Sequence, residues 1–289
     1  PLGTRKVVGI VVGFSEESRF SKLREVISRV DDIAPLSFGW LALTSFAARY
    51  YQSGWGQVAI PALPKFFRKL PGKLHERSLE RLRKEKKRAV KEPSEKPHLN
   101  SEQSAIVEEF QMDGAFYPAL IFGITGSGKT EVYLHLMEKV LLSDPAAQVL
   151  LMVPEINLTP QLVERVQSRF PQLEVVSWNS GMAEGQKASS WLACHEGRAR
   201  ILVGTRLSVF ASFKSLKLIL VDEEHDPSFK SQEGVRYNAR DLALKRASIE
   251  KIPIVLGSAT PSLESYKNAL EGKFKLFKLR QRANSNAHL

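Results

Sequence analysis

Six short runs along the chain are apolar at nearly every position: Pro118–Phe122, Gln148–Val153, Leu173–Ser177, Ala199–Val203, Leu216–Val221 and Ile252–Gly257. Runs of this length, without polar alternation, predict strands covered on both faces, as in a parallel sheet. Helical periods separate them. Val132, Leu136, Met137 and Val140 repeat at helical spacing in Glu131–Leu142, and Leu158–Phe170 and Ala183–His195 also read as helices. Asn100 or Ser101 can cap a further helix through about Phe110. Strands alternating with helices predict an α/β, doubly wound parallel sheet with ligands at the carboxyl ends of its strands.

The front of the chain is patterned differently. Val7–Val12 reads as a strand ended by Gly13, and Phe20–Val30 as a strand or short helix. Leu36–Tyr51 predicts a helix with Phe38, Leu41, Phe46 and Tyr50 near one face; Val58–Leu63 is apolar but broken by Pro61 and Pro64. Tyr50, Tyr51 and Trp55 have faces on which bases could stack, although aromatics at helical spacing more often fill a core. Leu74–Val90 is helix-compatible and dominated by charge, which fits either a solvated helix or a contact with a phosphate backbone. Pro93 to Pro97 marks a boundary. The predicted units are 1–72, a small mixed β/α segment; 73–97, a basic helical linker; and 98–289, an α/β lobe.

Charge sharpens that division. The 289 residues carry 42 Lys and Arg against 31 Asp and Glu. Residues 1–97 hold 20 basic and 10 acidic side chains, whereas 98–289 hold 22 and 21, so the front third is the expected footprint of a polyanion. Cys194 is the only cysteine, which excludes a disulfide frame or a complete cysteine zinc site and fits a cytoplasmic protein. No apolar run reaches membrane length and no signal peptide is evident, so no membrane partner is expected. The sequence opens at Pro1 without methionine, and a fragment is expected.

Two motifs carry chemistry. Gly123-Ile124-Thr125-Gly126-Ser127-Gly128-Lys129-Thr130 fits the phosphate-loop spacing and stands between a predicted strand and a predicted helix. Glycines let successive N–H groups turn toward a polyphosphate, and the helix N-terminus adds partial positive charge. Lys129 is expected to reach the β- and γ-phosphates of ATP, and the Thr130 hydroxyl to ligate Mg2+. The second motif, Asp222-Glu223-Glu224-His225, leaves the tip of the strand Leu216–Val221. Asp222 is expected to hold Mg2+, often through water, and Glu223 to orient and deprotonate the attacking water.

Asp-Glu-Glu-His, with the motifs around it, resembles the superfamily 2 helicases. Leu99-Asn100-Ser101-Glu102-Gln103 looks like their glutamine motif, which implies adenine contact by Gln103. Val153 to Gln161 resembles motif Ia, Gly204-Thr205-Arg206 motif Ib, and Gly257-Ser258-Ala259-Thr260 motif III. The run Pro154-Glu155-Ile156-Asn157-Leu158-Thr159-Pro160-Gln161, with Arg236 to Asp241, is similar to the bacterial replication-restart helicases of the primosome. The resemblance is dense over about 98–283 and looser over 1–70. It implies a RecA-like P-loop lobe behind part of a 3′-end DNA-binding domain.

The resemblance implies a 3′-to-5′ DNA helicase acting at stalled or abandoned replication forks, with forked and single-stranded DNA, other primosome proteins and single-strand binding protein as partners. Gly3 matches a glycine of the 3′-end pocket, and Arg24 replaces its usual lysine. Thr159 and Arg206 lie in motifs that contact the DNA backbone. Phe229 and Tyr237 belong to an aromatic-rich loop, in which Val235 replaces the usual tryptophan. Ser258 and Thr260 lie in the motif linking DNA to nucleotide; the plainer reading makes Thr260 the cap of a helix starting at Pro261. The second motor lobe with its arginine finger, the winged helix and the cysteine-rich insert are not expected in this sequence, so zinc is expected only in that absent C-terminal region. Weak or no activity of the chain alone follows. Another superfamily 2 DNA translocase, an RNA helicase, and a passive DNA-binding remnant without turnover remain open.

Overall fold

A computed structural model of the chain describes residues 6–18, 20–70, 75–84 and 96–283. Seven strands form one parallel sheet: β1 (Tyr117–Gly123), β2 (Gln148–Met152), β3 (Glu174–Trp178), β4 (Ala199–Gly204), β5 (Leu216–Val221), β6 (Pro253–Ser258) and β7 (Lys275–Leu279). Their order across the sheet is β3-β4-β2-β5-β6-β1-β7. Successive side chains point to opposite faces. On one face Leu120, Leu150, Leu202, Ile219, Ile254 and Leu256 join one core; on the other, Ile121, Leu151, Ile201, Leu220 and Val255 join a second. Two covered faces are the physical reason for the uninterrupted apolar runs.

The second core is closed by α4 (Ser101–Glu109), α5 (Lys129–Ser143) and α6 (Pro160–Arg169). The first is closed by α7 (Glu184–His195), α8 (Ala239–Glu250) and α9 (Leu263–Leu270). The register aligns the strand tips: Phe122 lies opposite Ser258, Gly123 opposite Leu279, and Met152 opposite Val221. The residues that follow β1, β5 and β6 therefore emerge along one edge.

The front segment departs from expectation in two ways. No strand or helix forms at 7–12 or 20–30, where Val11, Phe20, Leu23 and Val26 are exposed. A strand needs a ladder partner, and every named strand among the described residues belongs to the one seven-stranded sheet. The expected helix does form, as α1 (Phe38–Tyr50), and α2 (Trp55–Ala62) runs through Pro61 where a break was expected. Arg68 donates to the carbonyls of Pro61 and Leu63, which satisfies acceptors that the helix end leaves open.

These helices are built into the lobe. Trp40 is fully buried and its indole N–H donates to the Phe210 carbonyl at 2.7 Å. Burying such a side chain contributes about 3 kcal/mol. Tyr51 Oη accepts from the Asn238 N–H at 3.0 Å, at the start of α8. Helix α3 (His75–Arg83), within the expected linker, seats Leu79 in the core; its Leu82 carbonyl accepts from Ser189 Oγ, and Arg83 pairs with Glu196 at 2.7 Å. Described residues of the expected front segment and of the expected linker thus share a core with the lobe. The remainder of the expected linker helix, from residue 85, lies outside the described residues.

Candidate nucleotide and nucleic-acid site

Strand β1 ends at Gly123 and the chain turns through Gly126 (φ +79°) and Gly128 (φ +78°) before α5 begins at Lys129. Both positions lie in the left-handed region that favours glycine. A Cβ at Gly123 would stand 2.6 Å from Ser127 Oγ, and one at Gly128 2.4 Å from Gln103 Nε2. The loop therefore has no room for side chains on its inner wall. Ser127 N–H donates to the Ile124 carbonyl, while Ser127 Oγ is buried without a hydrogen-bond partner. Ile124, Thr125 and Gly126 are exposed, and Thr130 is half-buried. A glycine cradle, an orphaned buried hydroxyl and the N-terminus of a long helix fit a polyphosphate.

Lys129 is buried; its Nζ donates to the Gly123 carbonyl at 3.1 Å and lies 3.4 Å from Glu223 Oε1. The loop and the acidic motif, 94 positions apart on β1 and β5, thus meet through the two groups expected to handle phosphate and water. Gln103 forms a reciprocal capping box with Asn100 and donates from Nε2 to the Ser127 carbonyl at 2.8 Å. It braces the phosphate loop, with one Nε2 hydrogen left over for a ligand.

The four residues of the acidic motif have four different surroundings. Asp222 accepts from the Tyr133 hydroxyl at 3.0 Å. Burial, with Glu223 adding to it, raises the Asp222 carboxyl above its usual range, against the Tyr133 hydrogen bond and the Lys129 charge. Burial beside Asp222 also raises the Tyr133 phenol. Glu223 has φ +45°, a conformation that costs a non-glycine residue about 1 kcal/mol or more and recurs at functional sites. Glu224 is buried; it accepts from Ser262 N, Ser262 Oγ, Ser265 Oγ and Arg240. It fastens the motif to α8 and α9.

His225 makes the link to motif III. Its Nδ1 lies 2.8 Å from Ser258 Oγ and its Nε2 3.3 Å from Thr260 Oγ1. Ser258 Oγ also accepts from Thr260 N at 2.9 Å, so His225, Ser258 and Thr260 form one hydrogen-bonded cluster. The expectation that Thr260 could cap the next helix is corrected: α9 begins at Leu263, and Ser262 is its cap.

The residues assigned to DNA are dispersed. Thr159 caps α6, with its Oγ1 accepting from Leu162 N at 3.2 Å. Arg206 donates to the carbonyls of Ser228 and Lys230, so motif Ib holds the segment that follows the acidic motif. Phe229 and Tyr237, expected to offer stacking faces, are buried: each is in the core, and Tyr237 meets Phe210 edge-on at 5.0 Å. In this structure both rings are covered by protein because their loop folds back onto the lobe, and burial raises the Tyr237 phenol despite Arg206 beside it. Arg24 lies on the exposed front segment, and Gly3 outside the described residues. The sequence pattern did not single out Tyr133, Ser262 or Ser265, and it placed Arg240 only within a motif, without a role. Tyr133 lies one turn past Lys129, which is the signal that could have found it.

The DEAD/DEAH box helicase profile matches residues 100–269, and that of a 3′ DNA-binding domain matches residues 1–64. The chain belongs to the DEAD/DEAH box helicases, a family that uses ATP and Mg2+. Among its relatives are the replication restart proteins PriA. That of Bacillus subtilis is 47% identical over 57% of this chain and 20% of the relative. That of Rickettsia felis is 35% identical over 99% of this chain and 42% of the relative. The chain therefore spans less than half the length of these curated relatives. A structure of RecG bound to a three-way DNA junction aligns at a TM-score of 0.49, with 19% identity over 86% of this chain and 30% of that one. Among the described residues no helix is long and apolar enough to cross a membrane.

Proposed function

We propose that this chain is the nucleotide-binding motor lobe, with part of a 3′-end DNA-binding domain, of an ATP-dependent 3′-to-5′ DNA helicase that acts at stalled or abandoned forks to restart replication. The observation that carries it is the pairing of the two profiles in one chain, a 3′ DNA-binding domain at 1–64 and a helicase lobe at 100–269. Forked and single-stranded DNA, other primosome proteins and single-strand binding protein are the partners this reading implies, and zinc would be held by a region outside these residues.

In this reading the loop N–H groups, Ser127 Oγ and Lys129 hold the phosphates, and Thr130 and Asp222 hold the divalent cation. Bound Mg-ATP supplies the phosphoanhydride and the cation that offsets its developing charge. Lys129 exchanges its contacts with the Gly123 carbonyl and Glu223 for phosphate oxygens. Glu223, freed from Lys129, orients water and takes its proton. His225, Ser258 and Thr260 form the relay from that carboxylate toward the DNA side. One lobe holds half of such a site, and loss of an arginine finger costs roughly 10³- to 10⁵-fold in rate. The 289 residues alone are therefore expected to bind nucleotide and turn it over slowly.

Fluorescent-nucleotide titration with and without Mg2+, and anisotropy on forks with and without a 3′ end at the branch, test the reading. Mg2+-dependent nucleotide binding lost in Lys129→Ala, and preference for the fork bearing the 3′ end over RNA of the same shape, are expected. Equal binding of RNA forks would overturn the DNA assignment.

A further inference from the structure

Helix α1 presents two different sides. Trp40, Leu43, Ala47 and Ala48 face the lobe and are buried, and the half-buried Phe46 packs on the border of that core, whereas Tyr50, one turn further on, is exposed. The Phe46 and Tyr50 rings stack at 5.4 Å with planes 21° apart, and Tyr51 meets Tyr50 edge-on at 4.9 Å. Tyr50 is 65% exposed. Cations flank the rings: Lys245 Nζ lies 4.9 Å from the centre of Phe46, and Lys230 Nζ 5.6 Å from that of Tyr51. Arg49 is exposed on the same end of the helix. The carboxylate nearby, Asp241, is paired with Arg240 at 2.8 Å.

We propose that Phe46, Tyr50 and Tyr51, with Lys230, Lys245 and Arg49, form a stacking platform for unpaired bases of single-stranded DNA. The proposal rests on the helicase reading given above and assigns that reading a strand contact outside the motor motifs. Three arguments support it. The packing of α1 does not require the Tyr50 ring, since the lobe-facing side is filled by Trp40, Leu43, Ala47 and Ala48 and bordered by Phe46 and Tyr51. Aromatic faces bordered by cations match the two parts of a single strand, π-faced bases and a phosphate backbone. The platform is also tied to the motor: Tyr51 Oη accepts from Asn238 N, Lys230 bridges Asn238 through the backbone, and Arg206 holds the Lys230 carbonyl. A strand seated on Tyr50 would thus press on the segment that follows the acidic motif. With Phe229 and Tyr237 buried, this ladder offers the exposed ring that those positions do not.

The test is anisotropy with the whole 289-residue chain on an oligothymidylate strand and on a blunt duplex, at several salt concentrations. Tyr50→Ala should weaken strand binding by roughly 5- to 100-fold, the range that loss of one base–aromatic stack produces, and leave duplex binding within about two-fold. Tyr50→Trp should retain or tighten strand binding, and Lys245→Gln should lower the log–log salt slope by about 0.7 on the strand. Tyr50 is exposed, so the melting temperature of Tyr50→Ala should match that of the wild type. Wild-type binding of the strand that is unaltered in Tyr50→Ala overturns the platform and leaves the helicase reading standing. Equal losses on strand and duplex overturn it as well, since stacking requires unpaired bases. A wild-type chain that binds neither DNA removes the platform together with the DNA half of that reading.

Discussion

The Tyr133 hydroxyl donates to Asp222 Oδ1 across 3.0 Å, from one turn beyond the lysine of the phosphate loop. The phosphate-loop helix thereby aims the carboxylate expected to hold the divalent cation, from strand β5. Gly257 leaves the space: a Cβ there would stand 1.6 Å from the Tyr133 oxygen. Tyr133→Phe should weaken Mg2+-dependent nucleotide binding by about ten-fold, the equivalent of one hydrogen bond to a charged group. Gly257→Ala should destabilise the fold by more than about 2 kcal/mol through overpacking. Adding Tyr133→Phe to Gly257→Ala should recover part of that loss, and denaturant melts of the four proteins check it. Simple additivity would break the proposed relation.

The second and third motif carboxylates separate by mutation. Glu224 is buried with four donors around it, so Glu224→Ala leaves Arg240 short of its buried partner and should cost about 3 kcal/mol. Glu223 is partly exposed and touches Lys129 and His225 only through longer contacts. Glu223→Gln should shift stability by less than about 1 kcal/mol. In the full-length relative it should abolish hydrolysis while nucleotide still binds. Thermal melts and single-turnover hydrolysis read the two effects.

Thr260 and Ser262 offer a second contrast. Ser262 caps α9 and touches Glu224, so Ser262→Ala should lose about 1–2 kcal/mol. Thr260 is exposed and bonds His225, so Thr260→Ala should leave the melting temperature within about 1 °C. In a two-lobed protein, it should lower the stimulation of hydrolysis by DNA. A melting loss in Thr260→Ala equal to that of Ser262→Ala would return Thr260 to a capping role.

His195 predicts an acid-side loss of stability. It is buried between Ser212 Oγ at 2.9 Å and the Ala34 carbonyl at 2.8 Å, and stacks on Trp191 at 4.8 Å. Burial lowers its basicity, against the Ala34 hydrogen bond and the Glu196 charge. The unfolded chain protonates near the ordinary histidine value of 6.5, while the folded chain stays neutral to lower pH. Stability is therefore full above that value and falls below it, by up to about 1.4 kcal/mol per pH unit for this one site. Melts from pH 7.5 to 5 should show the decline, and His195→Gln should flatten it.

The sheet was legible because both faces are covered, so its central strands carry no polar alternation. Strand β7 was not: it is an edge strand, with Lys275 and Lys278 exposed and Phe277 and Leu279 buried. Helix α8 was hidden for another reason, since its buried side has one large apolar residue, Leu242, among Ala239, Ala243, Ala247 and the fully buried Arg246, which donates to the Val209 and Ala211 carbonyls. At the candidate site, local spacing was enough to single out Lys129, Asp222 and Glu223, which the fold brings together. The tertiary hub at Glu224 and the docking of Trp40 on Phe210 were beyond it, because each joins residues tens to hundreds of positions apart, and side-chain periodicity carries no record of such pairs.

The 3′ DNA-binding profile ends at residue 64 and the helicase profile begins at residue 100, yet Trp40, Leu43 and Val58 share a core with Ile219 and Leu256. Two families that meet inside one core cannot be shuffled as cassettes. A front segment grafted from another protein would have to bring its own indole to the Phe210 carbonyl, or leave a hole of tryptophan size beside the motor sheet. Substitutions in the front segment and substitutions in the helicase lobe then act on the same packed side chains.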